Sequence, residues 1–561
     1  MHQMAHTVVS RRRFTGAALA SVALAALSAC SSGESGERGS AAVVERPLTV
    51  GMRRPVSIDP ALATDASALT VVWQLFDALM SYDFETEELS CLAADRYEAA
   101  SDAQGFTFHL REATFHDGTP VTSSDFKRAW ERIVSPRSAV NEASGATPYA
   151  YLLSLVEGYD DVHSGAASNL SGVTCPDDMT LVVRLSIPYA DFPYVLAHPV
   201  LVPVPEAAEK DAAAFAQKPV GNGPYQLAAE WKSGSGALAL SRYDGYDDTP
   251  PTLDRVRFEV EADTASSYRA FQTEDLDVSL CPLNEAGDAA SSLGRSEDGR
   301  TLGEDGRLAC VTGLSTSMLA CNCAAAPLDD ANVRRALSLA IDRAYLADTL
   351  FRGTRLSADG VVPPTVHGYR EGAWAYATFD ADRAAELLEE RFPLEEDGDA
   401  RDLSIRLAYD TDGGHSEVMK AIADNLSDLG VDCKLEPLEA DALRDRIAQG
   451  DFDLARVDWT ADAPVMDNVL FPLFFSSNAG GTNVSRFQNA AVDEQLALAR
   501  TELDETTRLA TLQDVDSMVG EECPVIPLLY HASVYVASKR VEHLTVGPQG
   551  RLNVATSELA D

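Results

Sequence analysis

The chain has 561 residues, with 45 Lys and Arg against 87 Asp and Glu, a formal net charge of −42, and 45% hydrophobic residues. So acidic a surface repels nucleic-acid phosphates and anionic lipid headgroups, which argues against nucleic acid binding and against a body lying on a bilayer, and leaves solubility as its main service. The length is enough for several domains and a large buried core.

The first thirty residues read basic, then apolar, then small, the layout of an export signal rather than of folded structure. Ser10, Arg11, Arg12, Arg13 and Phe14 form a twin-arginine pattern, although the general export route also tolerates arginines. The apolar run Ala17 to Ala26 falls far short of the roughly 20 residues a spanning helix needs, so it serves as a signal core. Leu27, Ser28, Ala29 and Cys30 resemble the lipobox of bacterial lipoproteins, in which the chain is cut before the cysteine and the thiol is acylated. The expectation is therefore a signal over 1–29, lipid on Cys30 and a Ser, Gly and Glu-rich leash over 30–42. The body would be exported and held on the outer face of the cytoplasmic membrane through lipid alone. The alternative is an ordinary signal peptide with an incidental cysteine.

Beyond Cys30 stand Cys91, Cys175, Cys281, Cys310, Cys321, Cys323, Cys433 and Cys523. An even count outside the cytoplasm permits disulfides, with 105 possible connectivities for four bridges, and spacing does not choose among them. Cys321-Asn322-Cys323 has no second close pair and no nearby histidine, so neither a metal nor a cofactor is expected.

Helical and strand periods alternate along the chain, which indicates an α/β body. Phe106 to Leu110 alternates apolar and polar as a half-buried strand, Asp117-Gly118 supplies a turn, and Ser123 or Ser124 is expected to cap a helix. The Gly, Ser and acid-rich stretch 286–306 and the charged stretch 394–401 read as exposed loops. Val333, Ala336, Leu337, Ala340 and Ile341 recur at helical spacing behind a cap at Asp329 or Asp330, with Gly353 beyond the end. A further helix starts near Ser416 and ends at Gly430, and Val431, Cys433 and Leu435 then alternate as a strand.

These units stand in a recognisable order. Ser57-Ile58-Asp59-Pro60, Phe106 to Arg111 followed by Phe115 to Thr122, Asp125-Phe126 before Trp130, Gly221-Asn222-Gly223-Pro224-Tyr225, Val333 to Leu337 with Ala340 to Arg343, and Pro524 to Leu528 together resemble the oligopeptide-binding (family 5) extracellular solute-binding proteins of bacterial ABC importers. The resemblance implies a two-lobed periplasmic-binding-protein-like fold of type II, with an extra inserted domain and a ligand cleft between the lobes. It implies lobe I from 43–84, 214–309 and 524–561, an inserted domain over 85–213, and lobe II over 310–523. It also implies short peptides as ligands, a permease with cytoplasmic ATPases as partner, and a monomer.

Residue by residue, Thr147-Pro148-Tyr149-Ala150 is similar to the segment that offers a tyrosine to the ligand backbone, which nominates Tyr149. Arg456 to Asp462 resembles the segment whose aspartate pairs with a peptide amino terminus, which nominates Asp462, with Trp459 as a wall of the cleft. A carboxylate in a dry cleft needs a cation, and an α-ammonium brings one with three donors. His415, ahead of a helix whose free N–H groups favour an anion, and Arg456 match positions that meet the ligand carboxylate. The pockets depart from the family pattern: Thr64 replaces an acidic residue, with Asp65 adjacent, Ala440 stands for a tryptophan, and Ile447 for an arginine, with Arg446 adjacent.

Plainer readings exist for each. Tyr149 would serve as a core aromatic, Asp462 and Arg456 as partners of each other across a strand, and His415 as a polar residue before a helix cap. Within the same fold, haem or a nickel chelate is an alternative ligand, and a secreted peptide hydrolase is an alternative function. Ser124-Asp125-Phe126-Lys127 fits S-x-x-K, but no S-D-N or K-T-G follows, and lipase, zinc-protease and P-loop signatures are missing, so no catalytic residue is assigned.

Overall fold

A computed structural model describes residues 46–560, apart from 233, 247–248, 396–397 and 412–413. The export signal, Cys30 and the leash lie outside the described residues.

The largest sheet is built around two long antiparallel strands, Leu308–Cys321 and Val525–Ala537. From Leu308–Cys321 it extends through Leu454–Thr460 and Ser404–Asp410 to the edge strand Asp432–Leu438, forming the lobe that carries Asp462. From Val525–Ala537 it extends the other way through Val278–Leu280, Leu48–Arg53, Arg255–Glu261 and Ala237–Arg242 to Tyr225–Leu227. Helices cover these strands, and parallel pairs such as Ser404–Asp410 with Asp432–Leu438 are joined by the crossover helix His415–Asp428. A separate four-stranded antiparallel sheet, ordered Ala94–Ala99, Gly105–Leu110, Thr180–Arg184, Val173–Asp177, falls in the stretch expected to form an inserted domain. Period-2 burial divides the core of the Asp462 lobe into two layers. Leu319, Cys321 and Leu454 face one layer with Ile405, Leu407 and Ile422, while Met318, Ala320 and Ala455 face the other with Met466, Leu470 and Phe474.

The segments that carry the family resemblance brace this frame. Asp59 is fully buried and takes a two-pronged ion pair from Arg132 at 2.8 and 2.5 Å, while also accepting from the Ala61 N–H. Gly221 and Gly223 pass so close to the end of helix Ala66–Leu75 that a Cβ on Gly221 would lie 1.8 Å from the Leu75 carbonyl oxygen. Arg343 donates to the Pro527 and Ser338 carbonyls, and Arg334 to the Glu522 carbonyl, fastening helix Ala331–Leu339 to the start of Val525–Ala537.

Two local expectations are corrected. The cap of helix Ser123–Val134 is Thr122, because the Asp125 carboxylate reaches back to the Thr122 N–H and completes a capping box, while Ser123 turns to the Asp177 carbonyl. The stretch 286–306 is not one exposed loop. Ala286, Ala289, Ala290 and Leu293 recur at helical spacing, so Ala286–Leu293 packs as a helix, and Asp298 then accepts from Ser296, Arg300 and Thr301 to turn the chain into strand Thr301–Gly303. Beyond Leu339 the chain also makes two further short helical turns before Gly353, over Arg343–Tyr345 and Leu346–Leu350.

Replacing Arg132 with methionine strips the cation from a carboxylate that has no exposure. We expect Arg132→Met to cost about 3–5 kcal/mol of stability, read from the shift of the denaturant midpoint; an unchanged midpoint would refute the bracing role.

Candidate functional site

Strand Leu454–Thr460 alternates, so Arg456, Asp458 and Thr460 share one face, and Val457 and Trp459 the other. Arg456 is almost fully buried and is held by two carboxylates, Asp410 at 3.0 Å and, more closely still, Asp458. His415, the first residue of its helix rather than the one before it, directs Nδ1 to the other oxygen of Asp410 at 3.0 Å. His531 places Nε2 3.2 Å from Asp458. Burial pushes the Asp410 carboxyl up, but the His415 hydrogen bond and the Arg456 charge outweigh it and hold it below the ordinary value. Asp458 follows the same pattern with His531 and Arg456, and its carboxyl is held far down. His415 and Arg456 thus meet, as expected, but through Asp410, and the guanidinium they were expected to offer is already balanced twice.

Asp462 lies beyond the strand end and does not pair with Arg456, which corrects the cross-strand reading. Its backbone N–H is fixed at 2.8 Å by the Asn468 side chain, whose residue also receives the Trp459 indole N–H on its carbonyl at 3.0 Å. Trp459 is thereby half-buried on the face away from Arg456 and Asp458. The Asp462 carboxylate accepts a hydrogen bond from the Tyr151 hydroxyl at 2.8 Å, and among the described residues no cation pairs with it. Burial pushes this carboxyl from 3.8 up to about 6, against the opposing pull of the Tyr151 hydrogen bond.

Tyr149 is buried, its ring 4.9 Å from His198 and 6.1 Å from Tyr151. Burial first, then the charges of Asp462 and Asp65, push its phenol up to about 12. It therefore backs the tyrosine that reaches Asp462 rather than reaching Asp462 itself. Ala440 and the charged neighbours of the other two substituted positions are spent on structure. Asp65 caps helix Ala66–Leu75, Arg446 binds Glu436, and Ala440 opens the helix Ala440–Gln449. Sequence reasoning missed Tyr151, Asp410, Asp458 and His531. Tyr151 was within reach, two residues past Tyr149, and Asp458 sits inside the quoted Arg456–Asp462 segment on the strand face shared with Arg456. His531 is brought in by a strand register that local sequence does not reveal. All eight described cysteines are free thiols.

A frame of two lobes sharing one sheet, with a half-buried carboxylate on one lobe met by a tyrosine hydroxyl, fits a two-lobed solute-binding protein. Residues 88–481 match the bacterial extracellular solute-binding proteins, family 5 Middle, and the chain belongs to that family. It is 28% identical over 508 residues to the oligopeptide-binding protein OppA of Bacillus subtilis, covering 89% of this chain and 90% of that one. Among solved structures it resembles the unliganded open form of the murein tripeptide-binding protein MppA of Escherichia coli, at TM-score 0.79 and 24% identity, covering 92% and 98% of the two chains. It also resembles the binding protein AgaA of A. tumefaciens R10 in complex with agropinic acid, at TM-score 0.67 and 24% identity, covering 92% and 99%.

The raised Asp462 carboxyl has a stability consequence of definite sign. Its folded value exceeds its unfolded value, so its contribution to stability is complete below about pH 4 and is lost as pH rises through about 6. Asp462→Asn, with no charge to bury, should gain on the parent chain across that window, as read by denaturant titrations of the ligand-free proteins on either side of it. A stability difference that stays constant with pH would remove the burial argument.

Proposed function

We propose that this chain is the lipid-anchored substrate-binding subunit of an ABC transporter, capturing short peptides in the interlobe cleft and delivering them to a permease with cytoplasmic ATPases. The observation that carries the reading is Asp462, a half-buried carboxylate that burial raises and whose partner is the neutral Tyr151 phenol. A peptide α-ammonium supplies the missing cation and three donors. Peptide main chain pairs with cleft backbone, which gives affinity independent of sequence. Tyr151, backed by Tyr149, meets Asp462 from the inserted stretch, and Trp459 with Asn468 holds the Asp462 segment in place. The second pole lies near His415 and Arg456. Lobe closure is the signal to the permease, favoured by a ligand that touches both lobes. Family membership and the oligopeptide-binding relative support the peptide reading. The agropinic acid complex of AgaA favours, as a second reading, a non-peptide solute in the same fold.

Two measurements separate these readings. Denaturing the purified chain and analysing what it releases by mass spectrometry should yield short peptides; a folded chain that releases none and takes none from a mixed pool loses the peptide assignment. Asp462→Asn should weaken free-amine peptides by roughly 10- to 100-fold while leaving N-acetylated ones little changed, in calorimetric titrations. Equal losses for both would take Asp462 out of the amine-pairing role. Binding of free-amine peptides by the parent chain should also weaken as pH falls through about 6, where Asp462 takes up a proton.

A further inference from the structure

The Asp410 and Asp458 carboxylates leave Arg456 little capacity for a third anion. Close by, Arg355 is in the opposite condition. Its guanidinium stacks on the Phe351 ring at 4.0 Å, and its Nε is buried without a hydrogen-bond partner. Among the described residues it forms no ion pair. The short strand Leu356–Ser357 pairs with Val525–Ala537 so that Leu356 faces Tyr530, which puts Arg355 at the register of His531, the residue that touches Asp458. Electrostatic coupling of Arg355 to Asp458 and Arg456 places it in the same field, and burial is the largest influence on its guanidinium, lowering it from the ordinary value. A guanidinium cannot shed its charge at ordinary pH, so a half-buried one without a partner is a donor fork awaiting an anion.

We infer that Arg355, rather than Arg456, receives the carboxylate end of the ligand, and that the Asp410–Arg456–Asp458 cluster is a wall whose one cation is already matched and that fixes His415 and His531 beside it. The geometry supports this in three ways. The available fork belongs to Arg355. A carboxylate directed at Arg456 would approach Asp410 and Asp458 as well, at a like-charge cost. The flat ring of Phe351 holds the guanidinium plane, so two parallel N–H bonds to one carboxylate form with little further ordering. Cleft specificity is then set by a cation outside the segments that carry the family resemblance.

This inference rests on the peptide reading, and the test separates the two. The full chain and its Arg355→Gln, Arg355→Met and Arg355→Lys variants are offered an equimolar pool of random-sequence tri- to pentapeptides, and the same pool with C-terminal amides. Native mass spectrometry reads what each retains, and thermal melting confirms folding. The parent chain should prefer free acids to amides by roughly 10- to 100-fold. Arg355→Gln and Arg355→Met should bind both pools alike, and Arg355→Lys should restore part of the preference, because charge survives while the fork is lost. An acid preference that persists in any folded Gln or Met variant overturns the assignment to Arg355 alone, as does a parent chain that retains acids and amides equally. A parent chain that retains neither pool overturns the peptide reading and this inference with it.

Discussion

Two strands, Leu308–Cys321 and Val525–Ala537, run antiparallel through the centre of one sheet, and the cleft depends on how they fail to match. Thr312 faces Ala532 and Thr316 faces Tyr530, so Gly313, Leu314 and Ser315 stand against His531 alone. An excess of residues on one strand bends it and sharpens its twist. Here the bend falls between the strands of the two lobes, where a sheet that ran straight would leave no cleft. The same mismatch releases His531 from the ladder's regular spacing toward Asp458, and the neighbouring pairing of Leu356 with Tyr530 brings Arg355 alongside. One irregularity in backbone pairing thus gathers groups that are far apart in the chain.

Several buried charges elsewhere are matched in pairs. Asp59 is matched by Arg132, Asp467 by Arg500, and Asp191 by Arg508, each pair largely withdrawn from water. Leaving one member of such a pair alone costs several kcal/mol, so matched pairs are what a stable fold retains. Asp516 shows that a buried carboxylate without a cation is not by itself a binding group. Burial raises it too to about 6, and its partner is the Trp374 indole N–H at 2.7 Å, but it is enclosed in the core. Asp462 differs in where it faces. It is partly open and is met from the inserted stretch, so its missing cation can arrive from outside.

What the sequence revealed follows from how far each signal reaches along the chain. The amphipathic periods of Gly105–Leu110 and His415–Asp428 are local and were legible. The segments shared with the family were legible as a pattern, yet their role was not. Asp59, Gly221 and Arg343 brace the frame, and their partners lie in Arg132, Leu75 and Pro527. The misread stretch at 286–306 came from weighing glycine and serine above the spacing of Ala286, Ala289 and Leu293. The site was legible only in part, since Asp462 and Arg456 sit in one short segment, whereas Tyr151 meets Asp462 and His531 meets Asp458 across register and lobe. A pairing of that kind is decided by topology, and no period in the chain encodes it.

On the proposed reading, the placement of the charges also orders the events of capture. Arg456, Asp458 and Asp462 occupy one continuous segment, and Arg355 joins them through the shared sheet, so both poles for a zwitterion belong to the same side of the cleft. With both poles there, a peptide would settle on this side before the other side takes part. The tyrosines of the inserted stretch respond afterwards. The Tyr151 hydroxyl donates to Asp462, and an arriving ammonium would share or displace that neutral hydrogen bond. A charged donor wins the contest, because a charge-assisted bond is about twice as strong as a neutral one. Tyr151, backed by Tyr149, would then be left to close on the ligand itself, and contact with both sides is what favours a closed state.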